Sequence, residues 1–114
     1  MYLGAWRIND YVAIPAICHL FSTGAATAPT VLTYSIYEDT TDVGIDENVD
    51  MVPASPFDSV VGFYLSRRQL TTAAGFEVGK NYTVLVKATV DGVLAITAHT
   101  FQVIDSTYWW RRTA

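Results

Sequence analysis

The sequence is poor in several things that would each point to a different kind of protein. It has one cysteine, Cys18, so no internal disulfide can form. A small disulfide-stapled secreted scaffold is thereby excluded, and packing and hydrogen bonds must hold the fold. Charge is sparse at 16% of residues, and 11 acidic against 7 basic side chains leave a net charge of -4. A general nucleic-acid binder needs a basic face to neutralise phosphates, so this balance argues against one. Apolar runs are short. The longest, residues 11–21, contains Pro15 and His19 and falls well short of the roughly 20 residues of a membrane span. Asp10 precedes it where an export signal would carry a basic region, and no small-residue cleavage site frames it. No stretch of helical length shows a clean 3.6-residue apolar stripe, and Leu, Lys and Glu are scarce.

What is present is apolar and branched. Hydrophobic residues make up 51% of the 114 residues and aromatics 13%, which is enough apolar surface to offset chain entropy in one domain. Aromatic, Val and Thr side chains pack well on a pleated surface, so the composition predicts an all-β domain. The clearest element is a hairpin. Tyr82, Val84, Val86, Ala88 and Val90 alternate with Asn81, Thr83, Lys87 and Thr89, interrupted only by Leu85. Asp91-Gly92 then suits a two-residue type I′ turn, whose central positions both need positive φ. A return strand over about residues 93–104 has two fairly apolar faces, which predicts cover on both sides or a subunit contact. Residues 31–38 and 60–70 read as further strands. Residues 10–21 read as extended, with Pro15 placing them at an edge or bulge because proline cannot donate to a ladder. About seven short strands at this spacing predict a sandwich or small barrel.

Residues 38–58 hold seven of the eleven acids (Glu38, Asp39, Asp42, Asp46, Glu47, Asp50 and Asp58) with no Lys or Arg. They read as a surface loop, with a pair of weak edge strands as the alternative. The stretch lacks the D-x-D-x-D-G register of a calcium loop, and two histidines with one cysteine show no zinc spacing. No metal or cofactor is expected.

Nucleophilic catalysis needs a base beside a nucleophile. Cys18 and His19 are adjacent, and adjacent strand residues point to opposite faces, so Cys18 reads as a small buried hydrophobe. His99 reads as a half-buried strand residue. No catalytic residue is expected.

The two ends of the chain carry all three tryptophans and three of the five arginines. Trp and Arg bury much surface at low entropy cost. The sequence therefore divides into an N-terminal arm (residues 1–9), a β-sandwich domain (10–104) and an aromatic, basic tail (105–114). Trp6, Arg7, Tyr108, Trp109, Trp110, Arg111 and Arg112 are the candidate interface residues. For the first arm, packing back on its own sandwich is an equal alternative. Two arginines in the tail make a weak phosphate site.

Five stretches in order, LGAW from Leu3, YSIYEDTTD from Tyr34, SPFDSVVGFY from Ser55, GFEVGKNYTVLVKATVDGV from Gly75 and TFQV from Thr100, resemble the small immunoglobulin-like β domains of tailed-bacteriophage virion proteins. Nothing matches after Asp105. The resemblance implies an immunoglobulin-like sandwich of about seven antiparallel strands with extended terminal arms. It also implies a non-catalytic, multi-copy accessory subunit of the virion, either capsid decoration or a tail or neck component. Its partners would then be major capsid or tail subunits and further copies of itself, and its place the virion, after synthesis in the bacterial cytoplasm. The alternative is a host-surface or carbohydrate-binding adhesion module, in which exposed aromatics contact a polymer.

Overall fold

The computed structural model describes residues 1–18, 23–51 and 61–105. His19, the tail positions Tyr108, Trp109, Trp110, Arg111 and Arg112, and the last part of the acidic segment lie outside the described residues.

The described residues are all-β, apart from one 3-10 turn. Strands β1 (Tyr2–Arg7), β7 (Val93–Ile104), β6 (Asn81–Val90), β3 (Val31–Glu38) and β4 (Gly44–Asp50) form a five-stranded sheet in that order. Strands β2 (Tyr11–Ile17) and β5 (Phe63–Gln69) form a two-stranded sheet. One apolar cluster joins the two layers. Val12 and Ile14 of β2 pack with Leu32, Tyr34 and Ile36 of β3, Val84 and Val86 of β6, and Phe101 and Val103 of β7. This is the two-layer solution for strands that are apolar on one face. Each fully buried aliphatic or aromatic side chain contributes about 1.5–3 kcal/mol.

The hairpin follows its sequence pattern. β6 and β7 pair from Asn81↔Gln102 to Val90↔Val93 without a shift. Asp91 (φ 51°) and Gly92 (φ 76°) both take the left-handed region that a type I′ turn requires. The inward set of β6 is buried, and Tyr82, with no exposed surface, centres an aromatic knot. Its ring lies 5.4 Å from Phe101 in a stacked pair and 5.1 Å from Phe76 edge-on. Its hydroxyl accepts the Glu77 N–H at 2.8 Å, pinning the segment before β6 to the start of that strand. That segment turns through Thr72–Ala74, with the Thr71 hydroxyl capping Ala74 N–H. β2 pairs with β5 alone among the described residues, so Pro15 does sit on a strand with a free side.

Two expectations need correction. The first residues are not an arm. Tyr2–Arg7 pairs parallel with β7, from Tyr2↔Thr100 to Arg7↔Ile104. A register shift between Tyr2 and Ala5, with Gly4 at φ 99°, turns both Leu3 and Trp6 toward the core. The Trp6 indole N–H closes the bulge by donating to the Leu3 carbonyl at 2.8 Å. Nor is the acidic segment loop throughout, since Gly44–Asp50 is an edge strand on β3. Its acids are mostly exposed, because an edge strand presents one face and one side to water.

Candidate interaction surface

The outer face of the five-stranded sheet is set by register. Paired residues share a face, so the rows Val31–Thr89–Leu94, Thr33–Lys87–Ile96 and Ser35–Leu85–Ala98 lie side by side on it. Tyr2 joins through Thr100. Near the β6–β7 turn this face is apolar and open: Leu94 is 59% exposed, Ile96 55% and Val31 53%, and Tyr2, 61% exposed, lies farther along β7 beside Thr100. Single exposed hydrophobes are ordinary, and it is their sharing of one face that makes this the candidate surface.

Of the seven sequence-derived interface residues, the structure describes two. Trp6 is half-buried and packs against the core of its own domain, so its indole is committed there. Arg7 is exposed on the outer face at the far end of β1. The residues that sequence reasoning did not single out are Tyr2, Val31, Leu94 and Ile96. The signal for β7 was there, in its second apolar face. Tyr2 was absorbed into the arm, and Val31 became visible only through its register with Thr89.

On the inner side, the same end of the sandwich opens into an apolar cleft of about 390 Å³, lined by Pro15, Ile17, Leu32, Val90, Thr97 and His99 among others. β7 extends beyond β1 here, and β2 ends. His99 is 5% exposed, and its Nδ1 has no hydrogen-bond partner among the described residues. Burial holds its pKa below the ordinary value, with the Met1 amino group adding to that and a hydrogen bond to the Pro15 carbonyl opposing it. The imidazole is therefore neutral at pH 7. Cys18 is buried, and burial pushes its thiol above the ordinary range, away from the reactive thiolate.

The opposite margin is polar and internally satisfied. Arg68 Nε of β5 donates to Asp46 Oδ2 of β4 at 2.8 Å, tying the two sheets together, and its guanidinium lies 5.6 Å from the Phe76 ring centre. Burial, and then the neighbouring Asp46 carboxylate, pushes the Tyr34 phenol up, with Arg68 opposing. At the β3–β4 turn, Glu38 accepts from the hydroxyls and backbone N–H groups of both Thr40 and Thr41. Those bonds, the Thr41 and Thr40 hydroxyls foremost, lower its pKa to about 2. Thr83 donates to Asp39 at 2.6 Å. Among the described residues no three His, Cys, Asp or Glu side chains converge as a metal-binding set.

No protein-family model matches the chain, and no curated protein matches it.

Proposed function

We propose that this chain is a non-catalytic structural subunit of a tailed-bacteriophage virion, present in many copies, with an immunoglobulin-like fold. It docks on neighbouring capsid, tail or neck proteins through the apolar outer face at the β6–β7 turn and through its C-terminal aromatic and basic residues. The observation that carries this reading is the exposure of Val31, Leu94 and Ile96 on one sheet face near the β6–β7 turn, with Tyr2 exposed on the same face beside Thr100. The ordered sequence stretches that resemble phage virion domains supply the setting.

Two features support the immunoglobulin-like assignment. On this reading β3, β6 and β7 would be strands C, F and G, with β4 beside C as in variable-type domains and β2 and β5 as B and E, which agrees with the observed strand order. Tyr82, at the start of the F-like strand and bonded to the backbone N–H of Glu77, has the form of a tyrosine corner.

The test is incorporation into particles. Deleting residues 106–114, or introducing Leu94→Ser with Ile96→Ser, is expected to abolish incorporation while the domain stays folded. Full incorporation of both variants overturns the reading. Glycan binding by the isolated chain, measured on an array, would instead favour the adhesion module.

A further inference from the structure

The β7 margin supports a more specific statement, one that deepens the docking role but is tested without a particle. Thr100 N donates to the Met1 carbonyl at 2.9 Å, and Met1 N donates to the Ala98 carbonyl at 2.8 Å. The even-numbered backbone groups of β7 therefore face β1. Pairing with β6 continues to Val90↔Val93 without a shift, so the same parity holds up to the turn. The N–H and C=O groups of Leu94 and Ile96 thus point out of the sheet edge. β1 pairs only from Tyr2↔Thr100 onward, and no described strand meets Leu94 or Ile96 from that side.

Such an edge is a template for another strand, and proteins ordinarily guard it with charge, proline or a bulge. Here none of the three is present. Residues 93–104 contain no Lys, Arg, Asp, Glu or Pro, and their register with β6 is unbroken. Beside the free edge stand the exposed side chains of Val93, Leu94 and Ile96.

We infer that a second copy of this chain occupies the edge, β7 against β7, antiparallel about a two-fold axis at Ala95. The free groups fix the register. Leu94 faces the partner's Ile96, and Ile96 faces the partner's Leu94. Each such pair exchanges both of its N–H···O bonds, so every outward group of both residues is satisfied. A centre at Ile96 would instead compete with Met1 for the Ala98 carbonyl. On the outer face, Leu94 and Ile96 of one chain pack on the same residues of the other. On the inner face, Ala95 meets its own copy, where a non-hydrogen-bonded pair approaches to about 4.5 Å between Cα atoms and favours a small side chain. Charge agrees with a self-partner. In a chain of net charge -4 the contact strand carries no acid. The result is one continuous sheet across two chains, closed by symmetry.

The experiment uses the full chain in solution, following mass by sedimentation equilibrium and amide exchange by NMR across a concentration series. The mass is expected to rise from 12.6 kDa toward twice that value. The Leu94 and Ile96 amides should slow in step, by about tenfold or more, a free-energy change of about 1.4 kcal/mol. Ile96→Lys, at an exposed position, should remain a monomer at every concentration and melt as the wild-type chain does in dilute, monomeric solution. Ile96→Pro, which removes an outward N–H without touching the β6 ladder, should weaken association by about tenfold. A chain that is monomeric at every concentration overturns the inference. So does a dimer whose Leu94 and Ile96 amides exchange as fast as in dilute solution, or one that survives Ile96→Lys. Any of these leaves the virion reading to stand or fall on particle incorporation.

Discussion

The two margins of the five-stranded sheet are built in opposite ways. The β4 margin carries Asp46, Glu47 and Asp50, shifts register twice against β3, and ties Asp46 to Arg68 and, at the β3–β4 turn, Glu38 to Thr40 and Thr41. At the other margin, the stretch of β7 that β1 leaves uncovered has no charge, keeps its register with β6, and leaves Leu94 and Ile96 bare. Acids and bulges are how a sheet edge is kept from pairing. On the reading proposed above, the guarded edge faces solvent and the plain stretch faces a partner.

The largest expected effect removes what both margins share. Phe101→Ala takes a fully buried ring from the Tyr82–Phe76 knot and should cost about 3–5 kcal/mol, read as a loss of chemical-denaturation midpoint that affects both margins alike. Gly4→Val acts on one side only. A β-branched residue at φ 99° costs on the order of 1–3 kcal/mol, so the β1 amides should exchange faster while those of β4 do not change. If β4 responds equally, the margins are not independent.

Asp46→Asn weakens the link between β4 and β5. Arg68 is partly solvated, with 27% of its side chain exposed, so the expected loss is about 1 kcal/mol, confined to the acidic margin. Acid should act on that margin too. Glu38 has a folded pKa of about 2 against 4.5 for the free group. Its stabilising contribution is complete above about pH 4.5 and is lost as pH falls toward 2. Protection of the Thr40 and Thr41 amides, relative to their intrinsic exchange at each pH, should fall through that window while protection in β1 holds. Least of all, Leu94→Ser with Ile96→Ser should alter the stability of the dilute, monomeric chain by no more than about 0.5 kcal/mol, because both side chains face water there. A large loss in a thermal melt would mean that these residues serve their own fold.

The sequence made the hairpin legible because period-2 alternation and Asp91-Gly92 are local signals that packing had no reason to override. Val31–Glu38 was legible for the same reason. The first strand was not. Its bulge at Gly4 turns Leu3 and Trp6 inward three residues apart, which destroys the alternation that marks a strand. β4 was hidden by its acids, which read as loop but suit an edge. The candidate surface was half-visible. β7 showed its second apolar face, yet nothing local announces that Val31 shares that face, because the link runs through Thr89 across fifty-eight residues of chain. Tyr82 was visible as a core residue, whereas its bond to Glu77 depends on the turn between them.

An electron cryomicroscopy map of an intact particle containing the chain is the most direct test of the difference between the margins. The account predicts density from a neighbouring chain against Tyr2, Leu94 and Ile96, with β4 facing solvent. A map in which the β4 acids are covered and the β7 face is bare would contradict it.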